Sequence, residues 1–244
     1  MNPMLSPKQQ EIRDRELAIL QVAGPMLIAE GYHGLSMDRI AAELRYAKGT
    51  IYNHFRNKEE IILALALKAV QRRQSMFDRA SLMRGSSRDR IQAIGVAFEI
   101  YVRLYASDFT MEQIIRNEMI WEKTSPKNRE MLQDWEQQCM AMIAGIVRDG
   151  IASGDLEKSE RQDIPELIFG LWALTYGSFV INQTSPSLAK MGITDVYQSI
   201  RVNAHRMLNG IPWHPIRSLD EDLLLFERIA QTVFSEELAQ LQQL

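Results

Sequence analysis

A single cysteine, Cys139, in 244 residues excludes an internal disulfide framework and fits a reducing cytosol. Thirteen glycines and eight prolines are few for this length, which disfavours a turn-rich sheet protein and favours helices. Met1 to Gln10 is polar and no apolar stretch follows, so no secretory leader is expected. Charge is missing altogether between Glu166 and Lys190. The apolar part of that stretch runs only from Leu167 to Ile181, before Asn182, Gln183, Thr184, Ser185 and Pro186. That is short for a bilayer and reads as a buried helix, so no membrane partner is expected. The Asn182-Gln183-Thr184 sequon carries no meaning without secretion. Catalytic signatures are missing too. Histidines at 33, 54, 205 and 214 form no H-E-x-x-H pair, and there is no G-x-G-x-x-G, Walker loop or G-x-S-x-G. Lys48-Gly49-Thr50 lacks the upstream glycine of a phosphate loop. Neither an enzyme, a metal site nor a cofactor is expected.

What is present is an ordinary globular balance, 46% hydrophobic and 24% charged, enough to bury a sizeable core. A net charge of −3 argues at first against nucleic acid, but it is unevenly spread. Residues 1–80 carry 12 Lys and Arg against 9 Asp and Glu, a net +3, while residues 81–244 carry 16 against 22, a net −6. A modestly basic head on an acidic body permits DNA binding.

Helical punctuation recurs along the chain. Ser6-Pro7 with Gln9 forms a capping box with proline at the first helical position. Leu17, Leu20, Gly24, Leu27 and Ile28 follow at helical spacing, a kink is expected at Pro25, and Gly31 ends the run. Ser36 is expected to cap a short helix with Met37, Ile40, Ala41 and Leu44 on one face. A tight break precedes Lys48–Phe55, and Asn57 precedes a long helix through Ile62, Leu65, Ala66, Ala69 and Val70. Beyond Gly85-Ser86-Ser87, helices are expected over 88–107, 110–122, 126–152, 163–183, 194–209 and 219–241. Thr110 with Gln113 and Ser218 with Glu221 read as capping boxes, and Ser125-Pro126 as a cap and first position. The fold class is therefore all-α: an N-terminal three-helix head over residues 1–57, and a larger helical domain over 58–244.

The informative stretch runs from Gly31 to Ile61: a short amphipathic helix, a three- to four-residue break and a second short helix, the size and spacing of a helix-turn-helix. Lys48 and Thr50 stand at the N-terminus of the second helix, where the dipole and free N–H groups attract phosphate. Gly49 lets a backbone approach closely. Tyr52, Asn53 and His54 add hydrogen-bonding groups, while Ile51 and Phe55 anchor the inner face. Read as packing alone, Tyr52 and Phe55 are core aromatics, and Lys58-Glu59-Glu60 is a solvated helix start.

Lys48-Gly49-Thr50-Ile51-Tyr52-Asn53-His54-Phe55, followed by Lys58-Glu59-Glu60-Ile61, resembles the DNA-binding signature of the TetR family. Gly31-Tyr32 and Ser36-Met37-Asp38-Arg39-Ile40-Ala41 match it as well. The resemblance covers roughly residues 15–62. It implies a homodimer that binds a double-stranded DNA operator and releases it when a small-molecule effector binds. It also implies that Tyr52, His54 and Lys58 hold phosphates, and that Thr50 and Asn53, with Arg45, Tyr46, Ala47 and Lys48, face base edges or neighbouring phosphates. The departures lie in the turn, where Arg45 replaces the usual glycine and Ala47 the usual capping serine. Arg45 is a candidate guanine reader.

The body should hold the effector. Candidate pocket residues are Phe98, Tyr101, Tyr105, Met111, Ile115, Trp121, Trp135, Cys139 and Met142, with Phe169, Trp172 and Tyr176 as an aromatic stripe on the 163–183 helix. Each also reads as ordinary core. Thirteen methionines and four tryptophans suit a roomy apolar site for a hydrophobic or aromatic ligand. Glu99, Arg103, Arg116 and Glu118 lie on these helices and read either as polar anchors or, more simply, as solvated surface. Gly170, Ala173 and Gly177 make a small-residue stripe suited to a dimer seam, joined by either 194–209 or 219–241. An adaptor that recruits a protein partner without a small ligand shares these features, and activation or repression depends on where the operator lies.

Overall fold

The computed structural model describes residues 6–157, 163–185 and 187–243; Met1–Leu5 and Pro186, both named above, lie outside them. Among the described residues there are twelve α-helices and no strand beyond an isolated antiparallel bridge between Leu156 and Trp213. The helices are α1 Pro7–Gly34, α2 Met37–Glu43, α3 Lys48–His54, α4 Lys58–Ser81, α5 Ser87–Leu104 and α6 Ala106–Ile114, then α7 Glu118–Trp121, α8 Pro126–Ser153, α9 Ile164–Thr184, α10 Val196–Asn209, α11 Leu219–Val233 and α12 Ser235–Leu241. They pack into two compact units, one of residues 1–71 and 106–134, the other of residues 72–105 and 135–244.

In the first unit, α1 opens as expected: the Ser6 hydroxyl accepts the Gln9 N–H at 3.3 Å, and the Gln9 carboxamide accepts the Ser6 N–H at 2.9 Å. The expected kink at Pro25 is not where the helix breaks. Proline costs a helix the hydrogen bond to the carbonyl four residues back, but Gln21 and Pro25 are both exposed, so water can satisfy it. The break comes at Gly31, whose φ of 68° only glycine adopts cheaply. Ser36 precedes α2 in extended conformation but makes no side-chain cap; only its carbonyl enters the helix, accepting the Ile40 N–H at 3.0 Å. The expected 110–122 helix is two elements. Helix α6 starts at Ala106, and the Thr110 hydroxyl turns back on the Ala106 carbonyl at 3.0 Å, a mid-helix bond that competes with capping. Asn117 caps the short α7 instead, accepting the Met119 N–H. Ile19, Leu20, Ala23 and Leu27 of α1, Met37, Ile40 and Ala41 of α2, and Ile51 of α3 form the core of the head.

The second unit is centred on α5, which is buried along most of its length. Phe98 meets Phe77 and Phe179 edge-on, with centroids 6.0 and 5.3 Å apart. Helices α11 and α12 both pack on α5, and α9 packs on α10. The expected 219–241 helix is interrupted at Phe234, whose backbone leaves helical values while its ring is fully buried; the Ser218–Glu221 box forms as expected. Arg88 ties α5 to the chain's C-terminal part. Its guanidinium, wholly buried, donates to the carbonyls of Trp213 at 2.9 Å and Leu208 at 3.3 Å and to the Asn209 side chain, and pairs with Asp222. Asp222 in turn meets His205 Nδ1 at 2.8 Å.

Helix α9 departs from its expectation as a buried helix. Only 17% of its most apolar window is buried within the chain, and by length and composition it could cross a membrane. Phe169, Trp172 and Ile181 are among its exposed residues.

Candidate nucleic-acid interface

Helices α2 and α3 pack on each other and on α1. The turn between them closes through Leu44 N–H to Ile40 O at 3.1 Å and Tyr46 N–H to Ala41 O at 2.9 Å. Arg45 sits between these bonds with φ 55°, the left-handed conformation that glycine occupies without cost and that takes roughly 1–2 kcal/mol from other residues. The turn thus keeps the geometry the glycine would give, with an arginine in its place. Ala47, at the cap position of α3, is extended and offers no side-chain acceptor, leaving the first N–H groups of α3 less satisfied than a serine would.

One face of α3 looks to solvent. Lys48, Gly49, Tyr52 and Asn53 are exposed and Thr50 half-exposed, while Ile51 and Phe55 are buried. Tyr52 is 51% exposed, so it is a surface group and not a core aromatic. A Cβ at Gly49 would meet nothing within 4 Å, so the start of α3 is open to a close approach. Arg45 and Ala47 are exposed and Tyr46 partly so. Lys48 Nζ pairs with Asp38 at 2.6 Å, a solvent-exposed contact that exchanges readily for phosphate.

Two of the expected phosphate-holding residues stand differently. The Lys58 ammonium donates to the Tyr32 carbonyl at 2.7 Å and the Leu35 carbonyl at 3.4 Å, and lies 3.8 Å from the Tyr32 ring centroid. It therefore neutralises the carbonyl end of α1, and it would have to leave these bonds to reach a phosphate. His54 has a side chain only 8% exposed and faces Glu16 at 3.6 Å. A charged partner is within its reach from α1.

Glu59 and Glu60 are not the solvated helix start that the sequence suggested; they are 5% and 8% exposed. Glu60 accepts the Ser125 backbone N–H and the Asn128 side chain, the latter at 2.7 Å, so it secures the start of α8. Asn57 caps α4 through the Glu60 N–H at 2.9 Å and donates to the Lys123 carbonyl at 3.1 Å. Glu59 accepts the Tyr32 hydroxyl and lies 3.4 Å from Lys123 Nζ. Burial alone would raise the Glu59 pKa, but the Tyr32 hydroxyl, a backbone N–H and Lys123 hold it below the ordinary carboxylate value. The same hydroxyl–carboxylate bond, with burial, raises the Tyr32 pKa. Sequence spacing missed this cluster because its members lie up to 91 positions apart.

The chain has the residues of a known DNA-binding family. The family model described as bacterial regulatory proteins, tetR family, matches residues 19–65. The DNA-binding transcriptional repressor TetR of Mycobacteroides abscessus is 32% identical over 160 residues, spanning 62% of this chain and 78% of that protein. The fatty acid metabolism regulator protein of Bacillus subtilis is 21% identical over 180 residues, 73% of this chain and 90% of its own length. Among solved structures, the TetR family regulator PfmR from Thermus thermophilus superposes with a TM-score of 0.61 at 18% identity, covering 78% of this chain and 96% of that one. The chain belongs to the TetR family. It is a DNA-binding transcriptional regulator and not an enzyme.

In this TetR-family chain the residues expected to line an effector pocket are distributed over both units. Met111, Ile115 and Trp121 lie in the first, and the other nine in the second. Phe98, Tyr101 and Cys139 are buried, Tyr105, Trp135, Met142 and Tyr176 half-buried, and Cys139 Sγ accepts from Arg73 at 3.7 Å. Phe169, at 62%, and Trp172, at 40%, point to solvent. In the small-residue stripe, Gly170 faces α10: a Cβ there would come within 2.6 Å of the Met207 methyl. Ala173 is exposed, and Gly177 has open space where its Cβ would be. Glu99, read more simply as solvated, is buried and held by Arg103 at 3.2 Å and by Nε and Nη2 of Arg201. Among the described residues no group of three or more His, Cys, Asp or Glu side chains is placed to hold a metal ion.

Proposed function

We propose that this chain is a homodimeric cytoplasmic repressor whose head, residues 1–57, grips operator DNA and whose body, residues 58–244, releases it on binding a small hydrophobic or aromatic effector. The observation that carries the reading is the face of α3: Lys48, Gly49, Tyr52 and Asn53 are exposed together on a helix whose inner side is anchored by Ile51 and Phe55. Asn53 has the chemistry to bond adenine bidentately, and Lys48 and Tyr52 that to hold phosphate. Dimerisation is supported by the uncharged, exposed side of α9, since an apolar face of that size in water is stabilised by a partner. The effector reading is supported by the aromatic cluster around Phe98 and Tyr101.

Two recognition helices must lie about 34–36 Å apart to enter successive major grooves. An effector that binds better to a body conformation with another spacing lowers DNA affinity by its preference for that conformation, typically about 1–3 kcal/mol. Operator DNA must then weaken effector binding by the same factor. The test is footprinting of the purified chain on the region around its own gene over a salt series. Protection of a two-fold symmetric site with steep salt sensitivity is the expected result. Equal protection of random DNA would remove the repressor reading.

A further inference from the structure

We infer that the cleft between the segment after α4, the start of α5 and helix α11 binds a small organic anion with an apolar body. The cleft lies within the second unit and encloses about 550 Å³, the size of a small-molecule site. Leu224, Leu225 and Ile229 of α11 supply its apolar lining, together with Met83. Leu224 is 60% exposed on a helix that otherwise packs against α5, so a ligand's apolar body would take from water a surface the fold leaves open.

The charged part of the lining is net cationic. Arg84, Arg217 and Arg228 line it together with Asp89 and Glu221. Asp89 has partners on both of its oxygens and Glu221 on one. Asp89 accepts the Ser86 N–H at 3.1 Å, and its other oxygen faces Arg217 Nη1 at 2.7 Å. Glu221 accepts the Ser218 N–H and hydroxyl at 2.8 and 2.9 Å, and those bonds hold its pKa below the ordinary value. Arg84 and Arg228 are exposed and have no ion pair and no side-chain hydrogen bond among the described residues, and Arg217 Nη1 is buried without a well-directed one. The lining thus carries a net positive charge with two uncommitted guanidinium forks, which match a carboxylate or phosphate in bidentate fashion. A cation would meet like charge, and a neutral polar molecule would leave the two arginines bonded to water without a counter-charge. None of the residues expected to line the effector pocket borders this cleft, and no part of the inference depends on DNA binding.

The test is calorimetric titration of the full chain with octanoate, octyl phosphate, octanol and inorganic phosphate, repeated on the double variant Arg84→Gln/Arg228→Gln. Because neither arginine is bonded among the described residues, the variant should unfold at the same temperature as the parent. Expected is binding of octanoate or octyl phosphate, with whichever binds setting the head group, and with octanol and inorganic phosphate at least roughly tenfold weaker. The double variant should lose roughly tenfold or more of the anion affinity. Equal affinity for octanol, no binding of either amphiphilic anion, or unchanged affinity in the double variant would each overturn the assignment.

Discussion

Helices α3 and α9 both turn a broad face to solvent, but the two faces are built from opposite chemistry. On α3 the exposed groups are an ammonium, a phenol, a carboxamide and an open glycine, and the apolar residues lie beneath. On α9 the large exposed groups are Phe169, Trp172 and Ile181, with no charge from Leu167 to Thr184. The first face gains by meeting a polyanion, the second by meeting another apolar surface. In a family of DNA-binding regulators the contrast, in our proposal, gives α3 to nucleic acid and α9 to a second copy of the chain. The lesson is that exposure alone identifies nothing; which atoms are exposed decides the partner.

The comparison can be broken most forcefully at α9. The double substitution Phe169→Glu/Trp172→Glu would put two carboxylates into a dimer seam, where unpaired charge costs several kcal/mol. Sedimentation should show a dimer becoming a monomer, with the helical circular dichroism retained. A parent that sediments as a monomer would cancel the contrast. On α3, Asn53→Ala should cost about 1–3 kcal/mol of operator affinity and relax discrimination at one base pair, read by fluorescence anisotropy on single-mismatch operators. The α9 association should be untouched by it.

A smaller effect is expected in the Tyr32–Glu59–Lys123 cluster, which joins the end of α1 to the start of α4. Because the Glu59 pKa is depressed in the folded chain, its contribution to stability is complete above the carboxyl's unfolded value near about 4.3. That contribution is lost as pH falls through the lower folded value. Glu59→Gln should therefore flatten the acid limb of a stability–pH curve obtained by urea unfolding; an unchanged limb would place the acid sensitivity elsewhere. The smallest change is Arg45→Gly. It should stabilise the head by about 1 kcal/mol by relieving the positive φ, seen as a higher midpoint in urea. If Arg45 also reads DNA, the same variant binds its operator less well while folding better.

Much of the head was legible from the sequence because its signals are local. Ser6 with Gln9, Asn57 before α4, and the periodicity of Met37, Ile40 and Ala41 each act within a few residues and appear as read. The signals that failed were overruled by partners far along the chain. Lys58 looks like a phosphate ligand until the carbonyl end of α1 folds against it, and Glu59 and Glu60 look solvated until Tyr32, Ser125 and Asn128 arrive. Glu99 was misread for the same reason, since Arg201 stands 102 positions away. Thr110 and Pro25 failed locally: a hydroxyl can bond backward as easily as it can cap, and a proline on a wet helix face need not break it. The aromatic stripe of α9 could not be sorted into core or surface because periodicity gives the faces of a helix but not which face is covered.

In our proposal the exposed face of α3 reads DNA, and anisotropy titration of the parent and of Asn53→Ala on the protected operator and on scrambled DNA over a salt series decides it. The account predicts a steep fall of parent affinity with salt and a preference for the operator that shrinks in Asn53→Ala, while the affinity for scrambled DNA holds. Equal loss on both DNAs, or no loss on either, would contradict it.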